Sequence, residues 1–231
     1  MKEEDFFANI ARRLGRPQPL ASAPSRDVVG APGFWQDYRL ADVQQRIAKF
    51  QEELEKLGGQ AKVYVSLESM QEGLADLLEQ LQPEKIGCWN ERALEEFQLS
   101  SVLAGRQTQY WDGAKDPSAL VSEFASVDVG ITGADFAIAD TGTIAVVANS
   151  NQGRSVSLLP SVHIAIVKSS SICTRMGEVL AEVAKMQADD STRSSSINFI
   201  TGPSRSSDIE NDLSIGVHGP AAVFALVLRD E

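Results

Sequence analysis

The stretch VDVGITGADFAIADTGTIAV, residues 127–146, contains two apolar segments, each followed by a short polar turn. Val, Ile and Ala dominate both segments, which is typical of strands buried in a sheet. The turns read GITGAD at 130–135 and DTGT at 140–143, and two similar ones follow, TGPS at 201–204 and GVHGP at 216–220. Ligands gather at strand ends in an open α/β sheet, because loop backbone groups there face a common crevice. The four turns therefore predict one ligand site in the second half of the chain.

Helical and strand patterns alternate before this stretch. Apolar residues spaced three and four apart predict helices over 40–57 and 68–81, and short apolar runs predict strands over 61–66 and 85–89. The order helix, strand, helix, strand indicates a parallel α/β sheet. The remaining patterns predict a short helix at 92–97, a loop near 111–117, a helix at 174–187, and strands at 127–131, 135–139, 143–148, 163–168, 197–201 and 223–228.

The first 33 residues are predicted to be an appendage to an α/β domain over 34–231. Residues 3–14 have the pattern of a short amphipathic helix. Its apolar side consists of Phe6, Phe7, Ile10 and Leu14. Prolines among Gly, Ala and Ser make 15–33 an extended linker. The helix then docks either on its own domain or on a partner, and the pattern leaves both possibilities open.

The composition of the 231 residues argues against several classes of protein. A net charge of −11 without a Lys/Arg cluster argues against nucleic-acid binding, which needs a basic face. The start MKEED lacks an apolar core, and no stretch approaches the ~20 apolar residues of a membrane helix, so we expect a cytoplasmic protein. Cys88 and Cys173 lie outside any Cys-x-x-Cys pattern. They exclude a disulfide scaffold and argue against an iron–sulfur or zinc site on this chain, for which we expect no cofactor.

The first two turns offer backbone N–H groups and a carboxylate. The turn at 130–135 could meet an anion through its N–H groups, or it could be a tight turn that needs glycine. The turn does not have the G-x-G-x-x-G spacing of a dinucleotide-binding loop, and it lacks the lysine of a P-loop. Asp140 could act as a general base, as a nucleophile or as an acceptor that orients a substrate hydroxyl. It could equally belong to an ordinary hairpin turn.

The third turn adds a cation. Arg205 stands beside three serines on what the pattern predicts to be a strand-to-helix turn, a good place to hold an anion. Ser207 and Glu210 have the S-x-x-E spacing of a capping box, which would satisfy free backbone donors with no further function. Capping accounts for these two residues but not for Arg205, so both interpretations stay open.

The two histidines differ in context. His163 opens an apolar strand, which favours a buried, hydrogen-bonded imidazole, whereas His218 lies in the loop GVHGP, where an imidazole could work as acid, base or donor. Asp135, Asp140 and Asp208 could complete a metal site with His218. No spacing demands such a site, and we assign no metal.

Three stretches, taken in order, resemble the lactate utilization protein C family, the LUD-domain proteins. They are the opening stretch, LLPSVHIAIV at 158–167 and INFITGPSRSSDIENDLSIGVHGP at 197–220. The resemblance implies a three-layer α/β/α sandwich with a mostly parallel sheet, similar to the sugar-phosphate isomerase and coenzyme-A transferase superfamily. It also implies a non-redox role in a system that oxidises L-lactate to pyruvate, with iron–sulfur proteins as partners and a small anion as ligand.

The same resemblance supplies the candidate site. Coenzyme-A transferases carry a nucleophilic glutamate in a Glu-x-Gly turn; the turn at 140–142 is similar, with aspartate where LUD proteins usually have glutamate. The catalytic candidates are Asp140 and His218. The ligand-binding candidates are Thr132, Gly133, Asp135, Thr141, Gly142, Gly202, Ser204, Arg205, Asp208, Glu210 and Gly219. An independent transferase-like or isomerase-like enzyme, and a scaffold protein that keeps a ligand pocket, are the alternatives.

Overall fold

The computed structural model describes residues 3–20, 22, 38–187, 194, 196–207 and 213–230. The chain divides into two compact units, Met1–Phe34 and Trp35–Glu231. The smaller unit contains helix α1 (Glu3–Arg13), on which Phe6 and Phe7 are exposed. Within the described ranges, no helix combines the length and the apolar character needed to cross a membrane.

The larger unit alternates helices and strands. Its helices are α2 (Val43–Lys56), α3 (Leu67–Leu81), α4 (Ser100–Leu103), α5 (Pro117–Phe124), α6 (Ser155–Leu158) and α7 (Met176–Gln187), with 3₁₀ helices at Glu91–Phe97, Ala139–Thr141 and Ser169–Ser171. Its strands are β1 (Gln60–Tyr64), β2 (Ile86–Cys88), β3 (Thr108–Tyr110), β4 (Val129–Gly133), β5 (Phe136–Ile138), β6 (Thr143–Ala148), β7 (Val162–Lys168), β8 (Ile172–Cys173), β9 (Ser196–Ile200), β10 (Arg205–Ser207), β11 (Leu213–Ile215) and β12 (Ala222–Leu228).

Six strands form a central sheet in the order β1-β12-β7-β4-β2-β3, in which every neighbouring pair is parallel. Helices cover both faces. On one face Gly130 lies so close to α6 that a Cβ atom there would overlap the carbonyl oxygen of Val156. On the other face Tyr64 packs against Gly73 of α3. The predicted class, an α/β fold with a mainly parallel sheet between helices, is confirmed.

A second, four-stranded sheet has the order β8-β5-β6-β9, and its β5-β6 and β6-β9 pairs are antiparallel. One of its faces packs on α7, where Ile138 and Val147 meet Val179 and Val183. The sequence patterns predict β5, β6 and β9 but not their separation from the central sheet. An apolar run identifies a buried strand, whereas the choice of sheet depends on tertiary pairing.

Helix α2 has clear ends. The Asp42 side chain accepts a hydrogen bond from the N–H of Gln44 at 2.9 Å, which caps the first turn. The helix stops at Leu57, followed by Gly58 with φ +84°, a conformation that favours glycine. The open carbonyls at this end lie beside the second and third turns.

The described part of the segment after Thr201 differs from the predicted strand-to-helix turn. Arg205–Ser207 is a strand that pairs antiparallel with Leu213–Ile215, and the N–H of Gly216 donates to the Ser204 carbonyl. The proposed capping box of Ser207 and Glu210 stays a prediction, because the helix it would begin falls on residues that the structure does not describe. Glu210 and Asp208 lie outside the described residues.

Candidate functional site

A small crevice lies at the C-terminal ends of β2, β4 and β7, and its volume is about 200 Å³. It is lined by Trp89, Ala93, Glu96, Phe97, Gly133, Ala134, Asp135, Gln152 and Lys168. Larger hollows, of about 430 and 560 Å³, lie at the edge strands β1 and β3. We place the candidate site in the smaller crevice because it contains the first predicted turn and sits where parallel strands end.

Asp135 supplies the carboxyl group of this crevice. Its Oδ2 accepts the N–H of Val147 at 2.7 Å, and the Gln152 side chain donates to the same carboxylate. Burial raises the pKa of Asp135, and these hydrogen bonds offset the rise only in part. The crevice therefore holds a carboxyl group that takes up a proton more readily than an exposed aspartate.

Lys168, the last residue of β7, supplies the cation. Its Nζ lies 2.9 Å from Oε2 of Glu96, and the two side chains are 34% and 53% exposed. An ion pair this exposed contributes only about 0–1 kcal/mol, so a bound anion can replace Glu96. The sequence analysis missed Lys168. The sequence feature that could have identified Lys168 is its position as the charged residue at the end of an apolar strand.

A loop carrying Gln152 closes one side of the crevice. The indole N–H of Trp89 donates to the Gly153 carbonyl at 3.3 Å, and that of Trp111 donates to the Ser150 carbonyl at 3.1 Å. A Cβ atom at Gly153 would overlap the Trp111 ring. The two indoles therefore fix the loop and hold the Gln152 amide at the crevice carboxylate. Sequence reasoning did not single out Gln152, because nothing local links it to the first turn.

Thr132, a predicted ligand contact, is fully buried, and its hydroxyl oxygen lies 2.9 Å from Nε2 of His163. His163 is buried and hydrogen-bonded, as the sequence predicts. Its Nδ1 is buried without a hydrogen-bond partner among the described residues. Burial lowers the pKa of His163 to about 4, so the imidazole is neutral near pH 7. This pair joins β4 to β7 beneath the crevice.

Asp140 lies beyond the opposite end of β5 from Asp135. Its Oδ2 is 3.0 Å from Nε of Arg175, and both side chains are partly buried. Gly142 has φ +58° and packs so closely on α2 that a Cβ atom would overlap the backbone nitrogen of Leu54. The Asp140 carboxylate is thus ion-paired in a tightly packed turn, an arrangement that suits a structural role better than a free nucleophile.

The second and third turns meet at the C-terminal end of α2. The hydroxyl groups of Thr141, Thr143 and Thr201 form a chain, with oxygen distances of 2.7 and 2.9 Å. Nη2 of Arg205 donates to the Leu57 carbonyl at 2.6 Å. Arg205 therefore binds one of the carbonyls that a helix end leaves open, and that contact uses part of the guanidinium predicted to hold an anion.

The third and fourth turns contact each other. The N–H of Ser204 donates to the Pro220 carbonyl at 2.8 Å, and a Cβ atom at Gly219 would lie 3.3 Å from Cβ of Ser204. Gly202 has φ +79° and packs on α2, and His218 is exposed. Gly133 and Asp135 line the crevice, whereas these later turns group around α2.

The two cysteines lie in different sheets. Cys88 is buried in β2, and burial raises its pKa to about 12, while Cys173 is partly buried in the second sheet. In the part of the chain that the structure covers, no three His, Cys, Asp or Glu side chains are grouped to hold a metal ion.

Fold and crevice together define an α/β protein with a small polar crevice at the ends of its parallel strands. The family model described as the LUD domain matches residues 47–228, and the chain belongs to this family. A DUF162 family protein from Deinococcus radiodurans has the same fold, with a TM-score of 0.60 and 20% identity. That match covers 82% of this chain and 99% of the other.

Curated relatives match almost the full length of the chain. Lactate utilization protein C from Halalkalibacterium halodurans is 32% identical, over 99% of this chain and 98% of the relative. The protein of that name from Macrococcus caseolyticus is 34% identical over 98% and 95%. The one from Bacillus subtilis is 39% identical over 59% of each chain.

Proposed function

We propose that this chain is a cytoplasmic, non-redox component of a system that oxidises L-lactate to pyruvate, acting together with iron–sulfur partner proteins. The observation that carries the proposal is the near full-length similarity to lactate utilization protein C from several bacteria. The similarity includes the N-terminal segment as well as the LUD domain, so it favours a shared role for the whole chain.

The number of cysteines supports assigning electron transfer to the partner proteins rather than to this chain. Oxidation of a 2-hydroxy acid to a 2-oxo acid removes two electrons and two protons, which need an acceptor. An iron–sulfur cluster takes four ligands, mostly cysteine thiolates, and this chain has two cysteines in separate sheets. The proposal therefore gives electron transfer to the partners and gives this chain a role in holding the organic acid or assembling the complex.

The crevice supports that assignment. Lys168 offers an ammonium group whose exposed partner Glu96 can be displaced, and Asp135 offers a carboxyl group able to exchange a proton. A covalent transferase role has less support, because Asp140 is ion-paired with Arg175.

A growth and reconstitution experiment tests the proposal. A strain lacking this chain is grown on L-lactate as sole carbon source, with growth on pyruvate as the control. We expect the strain to fail on lactate only, and the purified chain to be colourless, inactive on lactate by itself and able to restore oxidation to its partner proteins. Normal growth of the deletion strain on L-lactate would overturn the proposal.

A further inference from the structure

We propose that the crevice at the ends of β2, β4 and β7 binds a short monocarboxylate with an oxygen atom on C2. Lys168 pairs with the carboxylate group, and Asp135 hydrogen-bonds the C2 oxygen. The inference deepens the proposed function and rests on it for the choice of lactate and pyruvate as probes. The ligand class itself is inferred from the size and the charge of the crevice.

The size of the crevice limits the ligand. Drug-sized ligands occupy clefts of about 300–1,000 Å³, so a crevice of about 200 Å³ suits a molecule of roughly ten non-hydrogen atoms or fewer. Trp89 and Phe97 give an apolar wall that fits a methyl or short alkyl group. Gly133 keeps this wall open, because a Cβ atom there would lie 3.3 Å from the Trp89 ring.

The charges of the crevice limit the ligand further. Its described lining contains one cation, Lys168, and two carboxyl groups, those of Glu96 and Asp135. A phosphate dianion would face both carboxyl groups with one lysine to balance them, whereas a monocarboxylate needs only to take the place of Glu96. Arg205 donates to the Leu57 carbonyl and Arg175 pairs with Asp140, and the crevice lining includes neither arginine. The balance of charge favours a monoanion.

The protonation state of Asp135 then determines which oxygen group on C2 of the ligand is favoured. Burial raises the pKa of Asp135, so its carboxyl group takes up a proton more readily than an exposed aspartate, and in the protonated form it can donate to an oxygen on C2. A 2-oxo group only accepts hydrogen bonds, so its binding favours the protonated form and takes up a proton. A 2-hydroxyl group can also donate to the ionised form, so its binding depends less on pH.

Calorimetric titration of the full chain tests the inference, with pyruvate, L-lactate, propionate and inorganic phosphate as probes between pH 5.5 and 8. Titrations in two buffers of different ionisation enthalpy report proton uptake. We expect pyruvate to bind about tenfold more tightly than propionate, which lacks the C2 oxygen, and phosphate not to compete. Pyruvate binding should tighten as the pH falls, with proton uptake.

Three variants separate the roles of the lining residues. Lys168→Met should weaken pyruvate binding by about tenfold or more, since it removes a charge-assisted contact. Glu96→Gln should tighten pyruvate binding, because the ligand no longer competes with a carboxylate for Lys168. Asp135→Asn should abolish the proton uptake, because the amide donates to the C2 oxygen without taking up a proton. Lys185→Met is the matched control, because Lys185 pairs with Glu182 on the exposed face of α7.

The outcomes distinguish this inference from the proposed function. Tighter binding of phosphate than of pyruvate, or unchanged pyruvate binding in a folded Lys168→Met protein, overturns the inference. If no probe binds while the chain still restores lactate oxidation to its partners, the inference fails and the proposed function stands. If pyruvate binds as expected while a deletion strain grows normally on L-lactate, the inference stands and the proposed function fails.

Discussion

At the residue scale, the candidate site depends on how single side chains are held. Asp135 is a partly buried carboxyl group under two opposing influences. A backbone N–H and the Gln152 amide stabilise its ionised form, whereas burial destabilises that form. Lys168 stays available because its partner Glu96 is exposed. The chemistry of the crevice is set by these local balances rather than by the residue types alone.

Gln152→Leu should raise the pKa of Asp135 further, because the variant removes a hydrogen bond to the ionised carboxylate and leaves the burial in place. Carbon-13 NMR of the aspartate carboxyl groups measures the change. Gln109→Leu is the control, since its amide donates to Glu123, away from the crevice. A pKa of Asp135 that is equal in both variants would contradict the assigned role of Gln152.

At the element scale, the turn after β5 is held by close packing on α2. Gly142 satisfies two demands at once, a left-handed backbone and the absence of a side chain against Leu54. The Thr141, Thr143 and Thr201 hydroxyl groups tie the same turn to the end of β9. The turn that resembles a transferase motif therefore also holds α2 and the end of β9 together.

Gly142→Ala should lower the free energy of unfolding by more than Gly105→Ala. Both glycines have positive φ, but open space surrounds Gly105, whereas a Cβ atom at Gly142 overlaps the α2 backbone. We expect about 1 kcal/mol for the backbone strain at either position and about 1–3 kcal/mol more for the overlap at Gly142. Urea unfolding measures both, and equal losses would refute the packing argument.

At the scale of the whole molecule, the sheet brings distant parts of the chain together. The order β7-β4-β2 places the ends of three strands side by side: β7 ends at Lys168, Asp135 follows β4, and Trp89 follows β2. Beneath them, Thr132 and His163 join β4 to β7. The geometry of the crevice therefore depends on the stability of the sheet below it.

The stability of the folded chain should fall as the pH is lowered through a window set by His163. The pKa of His163 is about 4 in the folded state and about 6.5 when unfolded, so between these values the unfolded chain binds more protons. Its contribution to stability is complete above pH 6.5 and is lost progressively as the pH falls toward 4, at up to about 1.4 kcal/mol per pH unit.

Urea unfolding of the wild type and of His163→Phe at pH 5 to 8 measures the effect. We expect the wild type to lose stability more steeply below pH 6.5 than the variant, whose side chain does not titrate. The difference between the two profiles removes the contributions of the other titrating groups. Parallel profiles would show that His163 does not titrate in this window.

The sequence by itself determined the parallel α/β class, the family and the buried state of His163, because periodicity and motif order are local properties. It also placed Gly133 and Asp135 among the site candidates. Only the tertiary structure decided that Lys168 and Gln152 lie beside Asp135, that the small sheet separates from the central one, and that Arg205–Ser207 form a strand where a strand-to-helix turn is predicted. These features depend on pairings between segments far apart in the chain, and no local pattern encodes such pairings.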